Sequence, residues 1–209
     1  RFFTKALRKC GYWNLSEPFK NLLTQGMVCH ETYRDQAGAW LSPAEVEKKN
    51  GQWIKSADET PVKVGRSEKM SKSRANVVPA SQMVEDYGAD ALRLFMLSDS
   101  PPERDIEWSE AGIEGSWRYL NKLWRLFTTH IPTIKTVKDT PVPLTLTDKA
   151  LTIRKLTHKT IFHVTEDIER FHLNRYIARL REFTNALETF SAVEESERWV
   201  LREALHTLA

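Results

Sequence analysis

Lys63-Val64-Gly65-Arg66-Ser67-Glu68-Lys69-Met70-Ser71-Lys72-Ser73-Arg74 carries five cations, Lys63, Arg66, Lys69, Lys72 and Arg74, against one acid, Glu68. Inside it, Lys69-Met70-Ser71-Lys72-Ser73 sets two ammonium groups three residues apart among hydroxyls and small residues. The stretch has no hydrophobic periodicity and reads as a polar loop. Soon after it, Pro79 stands where a first helical position would be. Such a loop can close over a polyphosphate. Lysines supply compact positive charge, backbone N–H groups add donors, and the start of the following helix favours anions. The plain alternative is a solvated basic surface loop, which a generic Lys/Ser run would favour. The setting lifts this string above that alternative, because it follows β structure and precedes helices.

Outward from the loop, the chain divides into four parts. Residues 1–32 open with the tail of a helix in which Phe2, Phe3, Ala6 and Leu7 are apolar, followed by Lys9 and Gly11 as a C-terminal signal. The apolar run from Leu22 to Cys29 then reads as a buried strand. Residues 33–63 read as a small β-rich insertion with charged edges. Its short extended pieces include Trp40-Leu41, Trp53-Ile54 and Val62 to Val64, and Asn50-Gly51 is a hairpin-turn signal. Residues 64–108 run from the loop into two helices. The first turns Met83 and Val84 inward and stops at Tyr87-Gly88. The second is capped by Asp90, carries Leu92, Leu94, Phe95 and Leu97, and ends at Pro101-Pro102. Residues 109–209 read as all helix. There Ile113, Trp117, Leu120, Trp124 and Phe127 form one apolar stripe, and Pro132, Pro141 and Pro143 mark a long connection. Ile153, Leu156, Val164, Ile168 and Phe171 suggest a second helix, Leu173 to Phe190 a third, and Trp199 to Leu208 a fourth.

Composition bounds the function classes. With 209 residues, 41% hydrophobic and 28% charged, the chain has an ordinary globular make-up. Lys plus Arg is 31 against 28 for Asp plus Glu, so a net charge of +3 leaves any basic footprint local rather than global. The 2 Cys exclude a disulfide scaffold and fit a reduced, cytoplasmic setting. No apolar run reaches the roughly 20 residues needed to span a bilayer, so a membrane role is not expected. The start, Arg1-Phe2-Phe3-Thr4, suggests a cut through a longer protein.

Lys69-Met70-Ser71-Lys72-Ser73 resembles the second signature of class I aminoacyl-tRNA synthetases, and Arg74-Ala75-Asn76-Val77-Val78-Pro79 continues that pattern, with Ala75 where the family more often has Gly. Tyr87-Gly88-Ala89-Asp90-Ala91-Leu92-Arg93-Leu94 resembles the helical segment that follows in these enzymes. The segment Glu17 to Val28, with Gln25-Gly26-Met27-Val28, is similar to the bacterial leucyl type, whereas other members tend to have His-Gly there. Asp105-Ile106-Glu107-Trp108, Trp117 to Leu120 and Phe171 to Ala178 follow the same pattern. The resemblance implies the C-terminal part of a Rossmann-type catalytic domain (residues 1–32), a leucyl-specific β-rich insertion (33–63), the signature loop with connecting helices (64–108), and an antiparallel helical anticodon-binding domain (109–209).

The resemblance further implies that leucine is activated with ATP, carrying Mg2+ as part of the substrate, and passed to leucine tRNA. Lys69 and Lys72 would be catalytic, with Met70, Ser71 and Ser73 completing the ATP-binding loop. Met70 is expected to pack the loop down. Arg118, Lys122 and Arg125 fall on one helix face, roughly opposite the Trp stripe, and are candidate tRNA-binding residues together with Arg175 and Arg179. A solvated face accounts equally well for all five. His158, His163 and His172 have neither the spacing nor the nearby Cys of a zinc site, so no bound metal is expected. The family's first signature, His-Ile-Gly-His, has no counterpart among the 6 His here. The chain is therefore expected to be a monomeric fragment that does not activate leucine alone. Another class Ia synthetase and a non-catalytic tRNA-binding paralogue are the rival readings.

Overall fold

A computed structural model describes residues 1–137 and 140–209. Helix α1 (Phe2–Lys9) ends as its sequence predicts, with Gly11 at φ +80° just beyond Lys9. The next strand is shorter than expected. Of the apolar run Leu22–Cys29, only Val28 and Cys29 enter strand β1 (Val28–His30), and Leu22 is 86% exposed. Apolar composition marks a segment that gains from being covered, but a strand also needs a hydrogen-bonding neighbour. Within the described part of this run, only Val28 and Cys29, continuing into His30, are paired in a strand ladder.

The β-rich part forms as read, from β2 (Tyr33–Arg34), β3 (Trp40–Leu41), β4 (Val46–Lys49), β5 (Gln52–Lys55) and β6 (Lys63–Val64). Asn50 and Gly51 both take positive φ, 51° and 83°, and so make the tight β4–β5 turn. Strand β2 lies between β3 and β6, and its Tyr33 is buried with Leu41 and Val46 under Trp53 and Val62. Two further strands, β7 (Glu68–Lys69) and β8 (Ile106–Glu107), flank β1 in a separate three-stranded sheet.

Between β7 and β8 run α2 (Ala80–Tyr87) and α3 (Ala89–Ser98). Pro79 is the cap rather than the first helical residue, and Gly88 at φ +86° separates the two helices. Met83 faces inward as expected, but Val84 is 41% exposed. Asp90 does not cap α3; it lies within the first turn and pairs with Arg93. Leu97 is likewise exposed at the end of α3.

The rest is helical: α4 (Glu110–Ile134), α5 (Asp148–Glu169), α6 (Leu173–Glu188) and α7 (Glu195–Leu208). Helix α4 continues through Pro132 to Ile134, past the point where a break was expected. Its apolar stripe is also rotated from the expected one. Ile113, Ser116 and Leu126 are buried, whereas Trp117 and Trp124 are 44% and 73% exposed. The inward face favours small groups where helices approach closely: a Cβ on Gly112 would meet the Phe95 ring at 2.5 Å. Bulk marks candidate stripes in a sequence, but backbone approach decides which one faces inward. Ile168 and Phe171, which helped to suggest the second helix, are exposed as well.

Helix α5 packs on α6 and α7, around Phe183, Leu187, Val200, Leu201 and Leu205. Two buried carboxylates organise the ends. Glu197 accepts the N–H groups of Val193 and Glu194 and the hydroxyl of Thr147; the two backbone donors come first in holding its carboxyl below the usual range. Asp167, 3% exposed at its side chain, takes Arg179 at 2.5 Å and Arg175 at 3.4 Å across the α5–α6 turn. Burial would raise its pKa, but the arginines and His172 outweigh that and hold it low.

Replacing Phe183 by Ala is expected to cost about 3–5 kcal/mol, while Trp124→Ala costs no more than about 0.5 kcal/mol. Urea unfolding of the two variants measures the contrast, and equal losses would refute the rotated stripe.

Candidate active-site loop

The loop grows out of the sheet centred on β1. Strand β7 pairs antiparallel with β1, setting Lys69 opposite Cys29 and Glu68 opposite His30, and the Met70 N–H still donates to the Val28 carbonyl at 3.0 Å. Strand β8 pairs parallel on the other side, with Val28 opposite Ile106. Trp108 donates its N–H to the Cys29 carbonyl, and its ring packs edge-on against Phe95 at 5.3 Å. The loop's base is thereby tied to the cluster of Met83, Phe95, Ile106 and Ile113 beneath α2, α3 and α4. Ahead of β1, the Gly26 N–H donates to the Pro102 carbonyl, and a Cβ there would lie 2.0 Å from the Arg104 oxygen. Only glycine fits this approach, which gives Gln25-Gly26 a structural meaning.

Beyond Met70 the chain leaves the sheet. Ser71 is extended, and its N–H donates to Asn76 Oδ1 at 2.8 Å. Lys72–Arg74 form a single 3-10 turn closed by Ala75 at φ 55°, in the left-handed region. Asn76 is fully buried, and its Nδ2 donates to the carbonyls of His30 (3.2 Å), Glu68 (3.1 Å) and Lys69 (3.5 Å). The hydroxyls of Ser71 and Ser73 lie 3.3 Å apart, and Met70 is half-buried.

Charge divides unevenly in the loop. Glu68 takes Arg66 at 2.9 Å and also contacts Arg74. Among the described residues neither Lys69 nor Lys72 has a carboxylate partner, and both are exposed. The single acid of the segment thus pairs with arginines and leaves the exposed ammonium groups of Lys63, Lys69 and Lys72 without a carboxylate partner among the described residues, the last two bracketing Ser71 in the chain. That arrangement suits a polyanion such as a polyphosphate.

The five helical candidates are not gathered in this way. Arg118 points outward and pairs with Glu114 at 2.8 Å, and Arg125 is exposed. Lys122 departs from the expected outer face: its Nζ sits 2.6 Å from Glu188 and 2.8 Å from Asn185, so it turns toward α6. Arg175 and Arg179 are engaged with Asp167, as above. His158, His163 and His172 each lie near a different carboxylate, and no group of three or more metal-ligating side chains occurs among the described residues. The residues that sequence reasoning missed are Glu68 as a charge partner and Asn76 as a buried anchor. An acid alone among five cations was a signal for the first; nothing local signalled the second.

The sequence profile of the family described as tRNA synthetases class I (I, L, M and V) matches residues 61–109, the strand, loop and helices just described. The solved ternary complex of Agrobacterium radiobacter K84 agnB2 LeuRS with tRNA and LeuAMS superposes with a TM-score of 0.70 at 28% identity, covering 99% of this chain and 22% of that one. Methionyl-tRNA synthetase of Mycobacterium tuberculosis shares the fold alone, at TM-score 0.51 and 10% identity over 86% of this chain and 66% of that one. The chain belongs to the class I aminoacyl-tRNA synthetases. Within that class it falls with the bacterial leucine enzymes. It is 53% identical to the leucine–tRNA ligase of Paramagnetospirillum magneticum and 51% identical to that of Rhodospirillum rubrum, in each case over 100% of this chain and 24% of the relative. The chain therefore spans about a quarter of the length of the curated relatives it matches.

Ala75 occupies a conformation that costs a non-glycine residue roughly 1–2 kcal/mol. Ala75→Gly is expected to stabilise the loop's closed turn by about 1 kcal/mol, less whatever the freer unfolded chain takes back. Chemical denaturation followed beside the wild type checks it; a clear loss of stability would mean that the left-handed turn is not the resting state.

Proposed function

We propose that this chain works as part of a leucine–tRNA ligase. In that reaction the leucine carboxylate attacks the α-phosphate of ATP, with Mg2+ accompanying the nucleotide. Leucyl-adenylate forms, pyrophosphate leaves, and the leucyl group passes to the 3′ end of leucine tRNA. The observation that carries the reading is the pair of uncompensated ammonium groups at Lys69 and Lys72 on a loop anchored to the sheet. Negative charge grows on the departing pyrophosphate, so fixed positive charge aimed at it acts in the transition state. Lys69 is held by its strand, and Lys72 stands on the turn beyond it; Lys72 is the stronger contributor. Ser71 and Ser73 hold the turn's shape or donate to phosphate.

On this reading residues 1–32 are the end of a Rossmann-type catalytic domain, 33–63 a small β-rich insertion, 64–108 the signature loop with its connecting helices, and 109–209 an antiparallel helical anticodon-binding domain. No helix among the described residues is long and apolar enough to cross a membrane. A monomer working in the cytoplasm fits the reaction. Arg118, paired only within its own helix to Glu114, and Arg125 are exposed on α4 and are better placed for tRNA phosphates than Lys122, Arg175 or Arg179, each of which pairs with a residue of another helix.

In the intact ligase, Lys72→Ala is expected to slow adenylate formation about a hundredfold while changing leucine affinity little. Arg at this position restores only part of the rate, because its planar fork is not a compact ammonium. Single-turnover activation kinetics decide the matter, and an unchanged rate would overturn the loop's assignment. For tRNA, Arg118→Ala combined with Arg125→Ala is expected to flatten the salt dependence of binding by about one to two units of slope. Affinities across a salt series give the slope; if it does not move, these arginines are ordinary surface residues.

A further inference from the structure

Asn76 spends its whole side-chain amide on the backbone of three segments. Its oxygen accepts from Ser71, and its nitrogen donates to His30 on β1 and to Glu68 and Lys69 on β7. The side chain is fully buried, and the opposite amide orientation would put oxygen against carbonyl oxygens, so the network permits one arrangement. The left-handed residue Ala75 turns the chain so that Asn76 drops back into the sheet just after the cationic turn. The segment from Ser71 to Asn76 is thereby closed at both ends: Ser71 N–H is its first tether and Asn76 its last. Lys72 lies between them, and its side chain has no hydrogen-bond or ion-pair partner among the described residues.

We propose that Asn76 is a positioning residue for adenylate formation, one that acts through Lys72 by fixing the height at which the 71–75 turn stands above the sheet. The inference rests on the polyphosphate reading of the loop and names a device within it. Asn76 does not touch nucleotide. It sets the distance from the β1–β7 edge to the ammonium, and positioning of this kind is felt in the chemical step: a displacement of about 1 Å can cost up to about a hundredfold. An aspartate in its place would keep the acceptor for Ser71 but, while ionised, would turn an oxygen toward carbonyl oxygens.

The test uses the intact leucine–tRNA ligase, with leucine and ATP as probes. Asn76→Ala and Asn76→Asp are expected to slow single-turnover adenylate formation by about tenfold or more, with leucine affinity within about twofold. In a Lys72→Ala background, Asn76→Ala is expected to add less than about a twofold further loss, because a residue that acts through the lysine has nothing left to position. An equal additional loss in both backgrounds, or wild-type rates for both Asn76 variants, overturns the assignment. If Lys72→Ala itself leaves the rate unchanged, the polyphosphate reading fails instead, and the two failures are distinct. Hydrogen exchange on the wild-type ligase without nucleotide needs no variant to fold: the Ser71 amide is expected to be protected relative to those of Lys72 and Ser73. A Ser71 amide exchanging as fast as theirs overturns the tether.

Discussion

Strand β1 is three residues long, and the site is built on it. Val28, Cys29 and His30 face β8 on one side and β7 on the other, so chain segments near positions 29, 69 and 107 meet in one ladder. Each pairing satisfies backbone groups that would otherwise be buried without partners. Through β7 the ladder fixes where the lysine loop begins. Through β8 and Trp108 it fixes where the helices begin, since Ser109 caps α4 immediately afterwards by accepting the Gly112 N–H. Phe95, Ile106 and Ile113 then join loop, sheet and helix in one apolar cluster. A change in the ladder's register would therefore move the lysine loop and the helical region together.

Electrostatics act on top of that frame. Glu68 lies on the strand, where it draws Arg66 and Arg74 back along the loop. The lysines are left without such a partner. An ammonium close to a carboxylate is less available to an incoming phosphate. The division of cations between a strand-bound acid and open solvent thus leaves the loop with positive charge that is not neutralised within it.

The helical region shows where pattern reading stops. Apolar residues every three or four positions correctly announced α4, but the tryptophans that dominated the pattern lie outward, and Ser116 and Gly112 lie inward. The buried face is selected by how closely α3 approaches α4, a property of the partner helix. Leu22 to Gln25 carries the same lesson for strands, because composition does not supply a pairing strand. Lys122 shows it for charge: helix period put it on the outer face, while Glu188 and Asn185 on α6 draw it inward.

What the sequence determined unaided was local: the cationic loop and its two lysines, the Asn50-Gly51 hairpin, the stop at Gly88, and the presence of the helices. Each depends on backbone preferences or spacing within a few residues, so the string of residues contains the cause. The tertiary structure alone decided which cations stay free, which face of α4 is buried, why Gly26 admits no side chain, and that Asn76 bridges β1, β7 and the loop. Those outcomes depend on groups brought together from distant positions, such as Asn76 with His30 or Gly26 with Arg104. The physical reason is that burial and hydrogen-bond satisfaction are properties of the packed chain, and no window of sequence contains both partners.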